Sequence, residues 1–198
     1  MHGVAKRTWA LSAWWAAVTL GVLVTCQVAV ATEPFSLERL NEGGYVVMLR
    51  HATAPGVGDP ENFRLGDCAT QRNLSEEGRA QARRLGERLR AQGIGSAEVY
   101  SSQWCRCLET AALLALGPVK ELPALNSFFS RPAERSSNVD ALRRFLADLP
   151  EDGPPVILVT HQVTISALTD RGAASGEAVV LEVDGTGRPP VVGTIEPQ

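Results

Sequence analysis

Two apolar runs stand out along the chain, Tyr45-Val46-Val47-Met48-Leu49 and Val156-Ile157-Leu158-Val159. Neither is interrupted by charge, and each has the length of a strand buried on both faces. Between them the apolar spacing becomes helical. Ser75 is a natural N-cap, Glu76 and Glu77 suit the positive end of a helix, and Ala82, Leu85 and Leu89 recur on one face up to Gly93. Ala97 to Ser101 predicts a second strand, and Cys105 to Leu116 a second helix stopped by Gly117-Pro118. Val139 to Leu149 predicts a third helix before Pro150, and a short helix over Glu33 to Leu40 leads into Gly43-Gly44. Residues 178–183 and 191–195 flank Asp184-Gly185-Thr186-Gly187 and predict a hairpin. Strands alternating with helices predict an α/β fold: a mainly parallel sheet with helices on both faces and a C-terminal antiparallel hairpin at its edge.

The first 31 residues carry the three parts of an export signal. Lys6 and Arg7 precede an apolar stretch from Thr8 to Val28, and Ala29-Val30-Ala31 offers a small-x-small cleavage site. Cleavage would leave a periplasmic or secreted domain of residues 32–198, one core rather than two. The alternative is an uncleaved anchor, which Ser12, Thr19, Thr25 and Gln27 dilute. Without Lys6 and Arg7 the chain has 17 basic and 22 acidic residues, a balance unsuited to gripping nucleic acid through phosphates. Few apolar periodic faces are left over, so a monomer is expected. Cys68, Cys105 and Cys107 remain, an odd number that suggests one disulfide and one free thiol. Cys105 and Cys107 flank Arg106 at a helix start and point to different faces, so they are not expected to pair with each other. The pairing with Cys68 is otherwise open, and the working expectation is a Cys68–Cys105 bridge with Cys107 as a buried apolar residue. With no CxxC and no histidine at ligand spacing, zinc is the weaker reading.

Each buried strand ends in a histidine: Arg50-His51 and Thr160-His161. Ligands of open α/β sheets bind beyond the carboxyl ends of the strands. Arg50 adds a planar guanidinium beside an imidazole that is a candidate nucleophile. The second strand leads into Ser101-Ser102-Gln103-Trp104-Cys105-Arg106, which sets another arginine at a helix N-terminus, where backbone N–H groups already favour anions. Either histidine alone is read as a satisfied core residue. Two histidines, two arginines and a helix start around one crevice describe a phosphate pocket. The 52–73 segment, long and rich in Gly and Pro, is a functional loop by its length.

These segments resemble the histidine phosphatase superfamily, which includes the cofactor-dependent phosphoglycerate mutases. The resemblance rests on Arg50-His51-Ala52, on Ser101 to Ala111 and on His161, in the family's order. It implies that His51 forms a phosphohistidine while Arg50, Arg106 and His161 hold the phosphoryl oxygens, with no cofactor or metal. Two positions depart from the family pattern. Ala52 replaces a glycine, and Leu125-Asn126-Ser127 lacks the glutamate that donates a proton in the mutases; Gln162, not an acid, follows His161. Asp59, Asp67 and Glu134 are the candidate proton donors in its place. Arg72, Thr160 and Gln162 are candidate substrate contacts, Glu109 a helix brace and Trp104 a packing residue. The implied activity is that of an exported, metal-independent phosphatase. The expected substrate is a phosphorylated small molecule, an envelope glycolipid or a phosphoprotein. A phosphohistidine phosphatase and a catalytically weak phosphate- or phosphosugar-binding protein are the alternatives.

Overall fold

In the computed structural model, residues 2–3 and 35–198 are described. The leader and its cleavage site lie outside them. Six strands form one sheet: β1 (Tyr45–Arg50), β2 (Glu98–Ser101), β3 (Val119–Glu121), β4 (Val156–Thr160), β5 (Ala178–Glu182) and β6 (Val191–Ile195), in the order β3-β2-β4-β1-β5-β6. β3, β2, β4 and β1 run parallel, while β5 is antiparallel to β1 and β6 to β5. The C-terminal hairpin thus extends the sheet next to β1. Four helices accompany it: α1 (Glu76–Ala91), α2 (Cys105–Leu114), α3 (Arg135–Ala147) and α4 (Gln162–Thr169).

The alternation of side chains along each strand sorts the core into two layers. Val47, Leu49, Ile157, Val159 and Val180 bury against Leu85 and Leu89 of α1 and Ala111 and Leu114 of α2. Val46, Met48, Leu158, Val179 and Leu181 bury against Leu142 and Leu146 of α3 and Ile165 of α4. Both strand faces are apolar because both are covered, which is why β1 and β4 read as unbroken hydrophobic runs.

The Ser75 side chain caps α1 by accepting from the Gly78 N–H, and Ala82, Leu85 and Leu89 form its buried face. The expected N-terminal helix is a 3-10 turn over Leu37–Glu42. α2 stops at Leu114, two residues short of its expected end, because Ala115 takes a left-handed conformation with φ 52. α3 begins at Arg135, four residues before its first buried apolar side chain, Val139, so its first turn carries no apolar signal. Apart from short 3-10 turns, one strand and one α-helix went unpredicted. β3 is a three-residue edge strand with two exposed polar side chains, and α4 opens on Gln-Val-Thr-Ile, a β-branched run with no side-chain cap. The disulfide joins Cys68 to Cys105, with Cα atoms 5.7 Å apart, and Cys107 is free and buried.

α1 and α2 meet closely at Gly86, where an added Cβ would lie 2.2 Å from the Leu114 carbonyl oxygen. Gly86→Ala gains about 1 kcal/mol of helix propensity, but overpacking against an immovable backbone costs about 1–3 kcal/mol. Urea unfolding is therefore expected to show a net loss of stability for Gly86→Ala. Gly95→Ala, whose Cβ meets nothing within 4 Å, is expected to be near neutral.

Candidate active site

β1 and β4 pair in parallel with Arg50 opposite Thr160, so the residues that follow them emerge side by side. The His51 N–H continues the ladder by donating to the Thr160 carbonyl at 3.0 Å. The two imidazole rings stand 5.5 Å apart, edge to face. They line a cavity of about 210 Å³ together with Arg50, Arg72, Arg106 and Gln162.

His51 is oriented by its own backbone. Its Nδ1 lies 2.8 Å from the Ala52 carbonyl oxygen. A carbonyl can only accept, so Nδ1 carries the proton and the Nε2 lone pair is left for chemistry. Burial, followed by the charges of Arg106, Arg72 and Arg50, outweighs the raising effect of that hydrogen bond and pushes the His51 pKa down to about 3. The ring is neutral and nucleophilic at any physiological pH.

His161 has both nitrogens engaged. Arg106 Nη2 approaches Nδ1 at 3.4 Å and can only donate. Nε2 therefore bears the proton and donates to Ser102 Oγ at 2.9 Å; Ser102 in turn donates to Asn126 Oδ1 at 3.2 Å. Burial first, then Arg106, holds His161 well below the ordinary histidine pKa.

The arginines are held from the loop and from neighbouring strand ends. Arg50 Nη1 donates to Gln162 Oε1 at 2.9 Å and to the Ala173 carbonyl at 2.8 Å. Arg72 donates from Nε to the Gly58 carbonyl at 2.8 Å and from Nη1 to the Ala54 carbonyl. Burial lowers the pKa of both from the ordinary arginine value, with Arg106 the next cause. Arg106, 3% exposed, forms a two-pronged pair with Asp59: Nη1 to Oδ1 at 2.5 Å and Nη2 to Oδ2 at 3.3 Å. The Nε atoms of Arg50 and Arg106 are buried without a hydrogen-bond partner. These two donors without partners thus belong to residues whose guanidinium groups line the cavity.

The long loop is attached where the chemistry lies. The Cys68–Cys105 disulfide ties it to the first residue of α2, next to Arg106. Gln71 Oε1 accepts from the Cys105 N–H at 3.0 Å. Thr110 joins β1 to α2 by accepting from the Ala52 N–H at 3.0 Å and donating to the Arg106 carbonyl at 2.7 Å.

The structure separates the three candidate acids. Asp59 lines the cavity. Asp67 faces outward, accepts from the Ala69 N–H at 3.2 Å and caps a 3-10 turn. Glu134 lies away from the cavity and pairs with Arg131 at 3.2 Å. Of the candidate contacts, Arg72 and Gln162 line the cavity, whereas Thr160 does not reach it: its fully buried hydroxyl donates to the Leu125 carbonyl at 2.7 Å. Glu109 braces α2 against α1 through Arg79 at 2.6 Å. Trp104 both packs on Phe63 and donates to Asp59 Oδ2 at 2.9 Å. Ser127, Phe129 and Val57 line the cavity unanticipated. Ser127 occupies the position of the missing glutamate, the one signal that pointed to it. Among the described residues no group of three or more His, Cys, Asp or Glu side chains is placed to hold a metal ion.

Residues 46–129 match the profile of the histidine phosphatase superfamily (branch 1), and they include Arg50, His51 and Arg106. Over that stretch the chain is similar to the histidine phosphatase superfamily. No curated protein matches it in sequence. Solved structures share its fold. The protein histidine phosphatase SixA complexed with tungstate is 14% identical, with 77% of this chain and 96% of that one covered and a TM-score of 0.56. A mycobacterial glucosyl-3-phosphoglycerate phosphatase with inorganic phosphate is 19% identical, with 71% and 90% covered and a TM-score of 0.52. TTHB049 from Thermus thermophilus is 20% identical, with 77% and 99% covered and a TM-score of 0.55. In this chain two strand-end histidines and the guanidinium groups of Arg50, Arg72 and Arg106 converge on one cavity.

Both histidines have folded pKa values below the unfolded value near 6.5. As pH falls through that value the unfolded chain takes up protons that the folded chain does not, so stability falls with pH. Urea unfolding at pH 7 and pH 5, above the carboxylate range, is expected to show lower stability at pH 5. The difference should shrink in His51→Asn, and equal stability at the two pH values would contradict the assignment.

Proposed function

We propose that this protein is a phosphatase that passes the phosphoryl group of a phosphorylated substrate to His51 and then to water. The observation that carries this reading is the state of His51: neutral, with Nδ1–H fixed on the Ala52 carbonyl and Nε2 free, among the guanidinium groups of Arg50, Arg72 and Arg106. Phosphoryl transfer asks a protein mainly for positioning and for neutralisation of charge on the phosphoryl oxygens. Arg50, Arg106 and His161 are assigned that task, Arg72 and Gln162 supplementary contacts, and no metal has a part in the scheme. The substrate is a phosphomonoester or a phosphohistidine.

We place the protein outside the cytoplasm. The three-part leader supports this, as does the Cys68–Cys105 disulfide, a bond that persists in oxidising compartments. One observation favours a second reading, a phosphate-binding protein without turnover: Asp59 already occupies Arg106.

Hydrolysis of p-nitrophenyl phosphate by the chain from Thr32 onward, with chelator present, tests the reading. Turnover is expected, with a loss of at least about a hundredfold in His51→Ala and an acid-labile phosphoryl adduct in quenched samples of the parent. Vanadate binding without turnover would give the site to the binding reading.

A further inference from the structure

We infer that Asp59 is the proton donor of this site and is armed by the substrate itself: the incoming phosphoryl group takes its place on Arg106. The inference rests on the phosphatase reading above. It starts from a count of donors. Arg106 has four terminal N–H bonds, and all are used: two by Asp59, one by the Arg72 carbonyl at 3.4 Å and one by His161 Nδ1. A phosphoryl group can be gripped by the terminal nitrogens only if an existing partner leaves. Asp59 is the partner with like charge, it comes from a loop, and it lines the cavity the phosphoryl group must enter. A phosphoryl dianion brings more charge and more acceptors than a carboxylate, so the exchange runs towards substrate.

Release changes what the carboxyl group is. In the resting site burial pushes the Asp59 pKa up, and the Arg106 and Trp104 hydrogen bonds, the Arg106 charge and a hydrogen bond from the Arg72 backbone together bring it below the ordinary value. Once Arg106 turns to the phosphoryl oxygens, burial is left against the Trp104 and Arg72 backbone bonds, and a neighbouring dianion adds repulsion. Both favour the protonated acid.

The proton balance closes without another reactant. The substrate enters as the monoanion and gives its proton to Asp59 as its oxygens take Arg106. The His51 Nε2 to phosphorus bond then forms while the phosphorus to leaving-group oxygen bond breaks, and Asp59 protonates that oxygen. As carboxylate, Asp59 next accepts a proton from the water that attacks the phosphohistidine. The phosphorus to nitrogen bond breaks, and inorganic phosphate departs with the proton as Asp59 returns to Arg106. Of the candidate acids Asp59 is the one at the cavity, while Ser127 holds the place where the mutases carry a glutamate.

The test compares Asp59→Asn with the parent on p-nitrophenyl phosphate and phenyl phosphate, which differ chiefly in leaving-group acidity. The variant is expected to lose less than about tenfold in kcat/KM on the first and about a hundredfold or more on the second. Vanadate should bind the variant more tightly, because the competing carboxylate is gone. Equal losses on both substrates would reduce Asp59 to positioning Arg106, and unchanged or weaker vanadate binding would overturn the exchange. The parent alone gives an independent readout should the variant fail to fold. As pH rises, kcat/KM for phenyl phosphate should fall at a pH where that for p-nitrophenyl phosphate does not, and coincident profiles would overturn the inference. Absence of p-nitrophenyl phosphate turnover by the parent would instead remove the phosphatase reading.

Discussion

The parallel pairing of β1 with β4 is the constraint on which the site depends. A parallel ladder fixes register over its whole length, so two strands buried on both faces deliver the residues after them to one place. The ladder does not stop at the strand ends: the His51 N–H still finds the Thr160 carbonyl. Slipping the register by one residue would turn every apolar side chain of β1 into the wrong layer. The core therefore holds the imidazoles in position at the edge-to-face separation observed, and the chemistry inherits its geometry from packing.

Concentrating three arginines and two histidines in one largely buried cavity is electrostatically costly, and the surroundings show how it is met. The histidines are kept neutral, which removes two positive charges from the problem. Arg106 receives a carboxylate, Arg72 two backbone carbonyls, and Arg50 a carbonyl and an amide. Two guanidinium Nε donors, of Arg50 and Arg106, remain buried without a partner.

Much of this was legible in the sequence because it was written in periodicity. β1, β4, the C-terminal strands and α1 each carry a clear apolar spacing or cap, and the ends of β1 and β4 mark Arg50, His51 and His161 in the sequence itself. Arg106 was legible as a residue at a helix start. The elements that were not legible lack those signals: β3 is short and polar, α4 is built from β-branched residues, and the first turn of α3 is exposed. Loop geometry was the least legible part. Nothing local distinguishes Asp59 from Asp67, since both are aspartates among glycines in the same loop. The difference is made by Arg106 and Trp104, forty-odd positions away in the chain. Thr160 was misjudged for a related reason, as a strand's last side chain can face the layer below rather than the crevice; here it bonds Leu125.

Cys107 has a consequence of a different kind. It lies two residues from Cys105 and is a ready partner, by position, for disulfide shuffling. Exchange, however, needs a thiolate to attack sulfur. Burial, only partly offset by Arg106, pushes the Cys107 thiol up to about 12, and its sulfur sits against the Thr160 carbonyl and His161, on the inner side of α2. The spare cysteine is thereby kept chemically silent, and the loop that carries Asp59 and Arg72 retains a single covalent attachment that its nearest thiol does not rearrange.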